Sequence, residues 1–174
     1  MRYILLSLLA VVFSFVLHEF THWTTGELLG YDMRMTLNKV YPVNGFYRED
    51  WHFTFISATG PAITLLQSLC VFLLIKKTHN RNLYPFLFAS FYLELLSGIM
   101  NFSKANDLGR ISTTFNLGLF TIPVIVIALH FLLLYKTIRR ENYSPKFTGW
   151  TLLLILLFSS FWILLNNQSP IILI

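Results

Sequence analysis

The sequence predicts an all-α polytopic membrane protein, with about five transmembrane helices and a short β-hairpin between the first two. Three observations carry that expectation. Of the 174 residues, 55% are hydrophobic and only 12% charged, with a mean hydropathy of +0.62. A soluble domain of this length cannot bury so much apolar side chain, because its surface is too large a fraction of the whole. Five stretches also approach the roughly 20 helical residues needed to cross a hydrocarbon core about 30 Å thick. The segment between the first two stretches is more polar and strand-like.

Residues 3–25 form the first expected span. Arg2 ahead of an apolar run imitates a signal peptide, but no small-residue cleavage site follows and the run ends in HEFTH, so an uncleaved helix is expected. In the segment that follows, Asn44-Gly45 is a hairpin turn signal, because a type I′ turn needs positive φ at both central residues. Strands are expected at about 35–42 and 46–56, where WHFTF roughly alternates. Read plainly, this is a surface hairpin; read more sharply, it dips towards the membrane beside HEFTH and offers a peptide an edge strand. Gly60-Pro61 is expected near the opening of the second helix, with Pro61 in its first turn and the span covering about 54–75. The third span, 84–102, opens with Pro85; the fourth, 113–135, carries Pro123 as a kink. The fifth, 149–166, is short and is followed by NNQSP and a last apolar IILI.

The formal charge of +5 sits in short loops, which makes the lipid bilayer the expected partner and nucleic acid an unexpected one. With five spans, the N-terminus shares a side with Lys76, Lys77, Arg81, Lys136, Arg139, Arg140 and Lys146, a lean towards a cytoplasmic N-terminus. The single cysteine, Cys70, excludes an intrachain disulfide.

HEFTHW, residues 18–23, puts three ionisable side chains where the first span nears a boundary. Such groups cost on the order of 3 kcal/mol each at the centre of a spanning helix, so they usually carry function. Positions i and i+4 share a helix face, so His18 and His22 can aim two imidazoles at one ion. Glu19, offset around the helix, can reach a water on that ion. Zinc suits this H-E-x-x-H arrangement: three protein ligands hold it, and the fourth position takes a water whose pKa falls to about 7.

A third ligand is then required. Along the first helix His18 and His22 lie roughly 22 and 28 Å from its start, and along the third Asn101 reaches roughly 26 Å. Asp107 would overshoot on a straight helix, but a break in FSKAND returns it to that level, whereas Glu94 is shallower by one or two turns. Asp107 is the first choice and Glu94 the reserve ligand. His52 and His79 read as loop or interfacial residues, and His130 as a polar contact between helices.

Together these residues resemble the site-2 protease family of intramembrane zinc metalloproteases. The resemblance rests on HEFTH in the first span, Gly60-Pro61 at the second, and NFSKANDLG, residues 101–109, at the end of the third. It covers roughly residues 1–112, as a three-helix core with a β-hairpin at about 34–56; residues 113–174 add two further helices to the same domain. The family's usual third element carries prolines and Leu-Asp-Gly. Here the prolines are absent, Asn106 precedes Asp107, and Leu108 separates Asp107 from Gly109. The resemblance implies one zinc ion on His18, His22 and Asp107, with Glu19 as general base and then acid. It implies hydrolysis of peptide bonds in or next to transmembrane segments of a membrane-protein or peptide substrate. Asn101 and Arg110 are the nearest candidates to position substrate or stabilise the oxyanion, and Gly60 and Pro61 are structural neighbours of the site. The alternatives are a non-catalytic homologue that binds membrane proteins, against which the intact Glu19 argues, and a metal or proton transporter, which would need further ionisable groups across spans two and five. A multi-pass protein this small is expected in a prokaryotic cell membrane.

Overall fold

The computed structural model describes residues 1–168 and 171–174. Ser169 and Pro170, part of the polar break expected after the last span, lie outside the described residues. The element order is α1 (Arg2–Leu28), β1 (Met33–Met35), β2 (Val40–Pro42), α2 (Asp50–Thr78), a 3₁₀ turn (Arg81–Leu83), α3 (Tyr84–Met100), α4 (Asp107–Thr114), α5 (Thr121–Glu141) and α6 (Pro145–Gln168). Among the described residues, five helices are long and apolar enough to cross a membrane: α1, α2, α3 with its preceding turn, α5 and α6. By length and composition the chain is compatible with a multi-pass membrane protein.

The first helix packs against α2, α3 and α6, and α2 packs in turn against α3, α4 and α5. Val11, Phe15, Ile75, Leu87, Phe88 and Ile155 belong to the core between them. Small hydroxyl residues accompany this core, with Ser7, Ser14, Thr64, Ser68 and Ser90 all buried. Such side chains let membrane helices approach closely and bond across the gap, as where Gln67 donates to Ser14 Oγ at 2.8 Å.

The hairpin lies between α1 and α2, but its turn is not where the sequence signal sits. β1 and β2 pair antiparallel, with Arg34 opposite Tyr41, and Thr36 to Lys39 make the turn, closed by Thr36 N–H donating to Lys39 O at 2.8 Å. Asn44-Gly45 instead forms the bend that leads out of β2: Gly45 has φ +78° and donates to Pro42 O, while Asn44 does not take the positive φ a type I′ turn requires. The stretch expected as a second strand, 46–56, forms none: residues 46–49 are irregular, with a bend at Arg48 and Glu49, and the chain is helical from Asp50. Nothing between residues 50 and 59 breaks a helix, and Asp50 suits the positive end of the helix dipole. Gly60 and Pro61 therefore lie inside α2 rather than at its start. The fourth span is likewise shifted. A short amphipathic α4 precedes it, and α5 starts at Thr121, which puts Pro123 in the first turn, where no backbone bond is lost.

The last four residues also take part. Met35 donates to Ile174 O at 3.0 Å and accepts from Leu173 N–H at 2.9 Å, so the C-terminal segment runs along the outer edge of β1. Trp162 Nε1 on α6 donates to Leu37 O at 2.9 Å and Asn166 Oδ1 accepts from Leu37 N–H at 3.3 Å. The final helix thus holds the hairpin turn in place.

Candidate metal centre

His18 and His22 lie one turn apart on α1 and are 4% and 5% exposed. Their outer nitrogens are both engaged. His22 Nδ1 lies 2.6 Å from the carbonyl oxygen of Ile56, which can only accept, so Nδ1 carries the hydrogen. His18 Nδ1 lies 2.9 Å from Thr64 Oγ1. That hydroxyl already donates to Gly60 O at 2.9 Å, so it accepts from His18. In the neutral rings, both Nε2 atoms therefore present lone pairs, and they lie 3.1 Å apart.

Asp107 completes the group. The chain leaves α3 at Asn101, turns through residues 102–106 and re-enters helix at Asp107, which brings Asp107 Oδ2 to 3.5 Å from each Nε2. One ligand atom from each of the three residues lies within 4.8 Å of the others. Ligands about 2.0–2.1 Å from a tetrahedral zinc ion lie roughly 3.3 Å from one another. Two imidazole nitrogens and a carboxylate oxygen at 3.1 and 3.5 Å match that spacing and that donor set. Three acceptors converging inside an apolar bundle repel one another unless a cation lies among them.

Gly60 accounts for the close approach of α2. A Cβ there would run into Nε2 of both histidines, so only glycine lets the helix backbone pass this near the rings. Pro61 has no N–H to give Ser57 O, which loosens the helix ladder next to the Ile56 carbonyl that His22 uses.

Arg110 lies on the next turn of α4. Its Nη1 donates to Asp107 Oδ1 at 3.2 Å and to Ser57 Oγ at 3.4 Å, and its guanidinium sits over the Phe53 ring at 4.8 Å.

The site opens into a cavity of about 770 Å³. Glu19, His18, His22, Asp107 and Arg110 line it together with β2, Tyr47, Phe53, Ser57 and the end of α3. Asn101 is elsewhere. Its Nδ2 donates to Ser97 O and Gly98 O, and its Oδ1 accepts Asn106 N–H at 2.7 Å. Asn101 braces the α3–α4 loop and has no free donor for an oxyanion; Arg110 does face the cavity. Glu94 is fully buried, near His18 Nδ1 rather than among the three converging atoms. His52 bonds Tyr31 OH at 2.7 Å, His79 ends α2 and pairs with Glu141 at 2.9 Å, and His130 is buried on its own helix's Val126 carbonyl. None of the three joins the centre.

Thr64, Ser57 and the Ile56 carbonyl were not legible as site residues beforehand. A signal existed: Thr64 and Ile56 lie four residues either side of Gly60, and Ser57 lies four before Pro61, so all share the helix face that glycine opens. No protein-family model, curated protein or solved structure matches the chain.

Proposed function

We propose that this protein is an intramembrane zinc metalloendopeptidase of the site-2 protease type, hydrolysing peptide bonds in or next to transmembrane segments of other membrane proteins in a prokaryotic cell membrane. The observation that carries the reading is the convergence of His18 Nε2, His22 Nε2 and Asp107 Oδ2 on one point, with Glu19 on the same cavity wall. His18, His22 and Asp107 would hold the ion. Zinc, when bound, supplies a Lewis acid that polarises the scissile carbonyl and acidifies a water. Glu19 takes the proton from the attacking water and delivers it to the departing amine. Arg110 holds Asp107 in orientation and presents the nearest cationic donor to a substrate carbonyl.

The hairpin supports a mode of substrate capture. In the β1–β2 ladder, hydrogen-bonded pairs alternate. Thr36 bonds Lys39 and Val43 bonds Asp32, so the Met35–Val40 pair is the non-bonded kind. Met35 turns its N–H and C=O outward, where Leu173 and Ile174 take them. Val40 turns its own pair to the opposite edge, on the cavity side. A locally unwound substrate strand can pair there, which exposes its peptide bonds as a helix would not.

The test is Glu19→Gln in purified protein, with bound zinc and cleavage of a membrane substrate measured together. Retained zinc with cleavage reduced by about 10²–10⁴-fold is expected for loss of a general base. Undiminished cleavage would remove Glu19 from the mechanism, and a wild-type protein unable to bind zinc would remove the mechanism itself.

A further inference from the structure

Glu94 presents a problem the proposed chemistry does not use. It sits in the middle of α3, 0% exposed, and neither carboxylate oxygen has a hydrogen-bond partner. An unpaired carboxyl group inside a membrane bundle is costly, and such groups are kept where they serve a function. Its Oε1 lies 3.8 Å from His18 Nδ1, just beyond hydrogen-bond reach.

The two histidines differ at this outer position. His22 gives its Nδ1 hydrogen to a backbone carbonyl at 2.6 Å, a short bond to a fixed group. His18 gives its own to a hydroxyl, Thr64 Oγ1 at 2.9 Å, which is itself tied to Gly60 O. A hydroxyl is the weaker acceptor, so the His18 ring is less firmly set than its neighbour by Thr64 alone. Metal-ligating histidines are commonly held by a carboxylate on the far nitrogen, which fixes the tautomer and raises the basicity of the ligating nitrogen.

We infer that Glu94 is a positioning residue for His18: its carboxylate shares with Thr64 the Nδ1 hydrogen of that ring and thereby holds Nε2 on the point where Asp107 and His22 converge. A shift of less than 1 Å at Oε1 turns the present 3.8 Å separation into a hydrogen bond. The arrangement makes His18 the ligand tuned through a side chain, on α3, and His22 the ligand fixed through the α2 backbone. Ion binding then depends on how α3 seats against α1. This inference rests on the metal-site reading above, and it assigns Glu94 to the layer behind the ligands instead of among them.

The experiment uses the full chain in detergent, with zinc affinity measured by chelator competition and the site environment by visible absorption of the cobalt-substituted protein. Wild type, Glu94→Gln, Glu94→Leu, Thr64→Val and Asp107→Asn are compared, with helix content by circular dichroism as the folding control. Glu94→Leu is expected to lose about 10–100-fold in zinc affinity, the usual cost of an outer-layer partner, while keeping a four-coordinate cobalt spectrum with shifted bands. Glu94→Gln, isosteric and still able to accept from Nδ1, falls between wild type and Glu94→Leu. Glu94→Leu and Thr64→Val together lose more than either alone. Wild-type affinity and an unshifted spectrum in folded Glu94→Leu overturn the inference. So does a loss as complete as that in Asp107→Asn with a lower coordination number, which would make Glu94 a ligand. Failure of the wild type to bind either metal is a separate result, seen before any variant is compared, and it overturns the site reading and this inference together.

Discussion

The two ends of the helix bundle are built differently. At the end where the chain begins, aromatic rings close the gap: Tyr84 stacks on Phe147 at 5.6 Å, Tyr143 packs edge-on to both, and Tyr3 OH bonds Thr151 Oγ1 at 2.7 Å. His79 and Glu141 tie the ends of α2 and α5 together there, and Arg140 reaches Lys76 O. At the other end a cavity of about 770 Å³ is lined by histidines, carboxylates and the β2 side of the hairpin. The closed end is filled by packed side chains. At the open end two imidazole nitrogens and a carboxylate oxygen converge beside the cavity. Packing explains the first, and the proposed ion would account for the second.

That contrast predicts that changes at the open end affect ion binding and activity with little loss of structure. The largest effect belongs to Asp107→Asn or His18→Ala. Either removes one of the three proposed ligands, and both are expected to abolish zinc binding and cleavage, with helix content unchanged, as read by metal analysis and circular dichroism. Retained zinc in Asp107→Asn would break the comparison at its centre. Gly60→Ala comes next. Alanine is the better helix former by roughly 0.5–1 kcal/mol, yet its Cβ would occupy the space of both imidazole nitrogens. Zinc affinity should fall by more than the roughly 10–100-fold of an outer-layer loss, while α2 stays helical. Unchanged affinity would show that the close approach of α2 does not shape the site.

How much of this could be read beforehand divides along physical lines. The five spans and the pairing of the two HEFTH histidines on one helix face were legible because hydrophobic length and i, i+4 spacing are local properties. The return of Asp107 was legible only as a requirement: a straight helix overshoots, so FSKAND had to break, and it does. The hairpin's existence was legible but its turn was not. Asn44-Gly45 is a true turn signal, but tertiary pairing with α6 and the C-terminal residues sets the hairpin turn at Thr36–Lys39 instead. The spacing of Asn101 fits a site residue, whereas its side chain bonds the loop that positions Asp107. The partners behind the histidines come from other helices, and no local pattern announces them.

A smaller effect separates the two edges of the hairpin. Val40 N–H takes no part in the β1–β2 ladder, so Val40→Pro should leave the hairpin paired while deleting one bond to a substrate strand. The expected result is a loss of about tenfold in kcat/KM for a membrane substrate, the equivalent of one hydrogen bond, with zinc content unchanged. An unaltered kcat/KM would mean that substrate does not dock on this edge.

The smallest predicted effect lies at the closed end and is the sharpest check on whether the ends are independent. Thr151 Oγ1 donates its hydrogen to Phe147 O at 3.0 Å, so in the Tyr3–Thr151 pair the phenol is the donor. Tyr3→Phe therefore removes a donor without stranding one, because Thr151 keeps its own bond. The cost should sit near the ordinary net value of a hydrogen bond, about 0.5–1.5 kcal/mol. For a chain of this length that lowers the thermal midpoint by about 2–4 °C per kcal/mol. Zinc affinity should not move, since more than a dozen helical residues separate Tyr3 from His18 on α1. If zinc affinity fell along with the midpoint, the aromatic end would be holding α1 in register for the ligands, and the bundle would act as one coupled unit rather than a packed end that supports a reactive one.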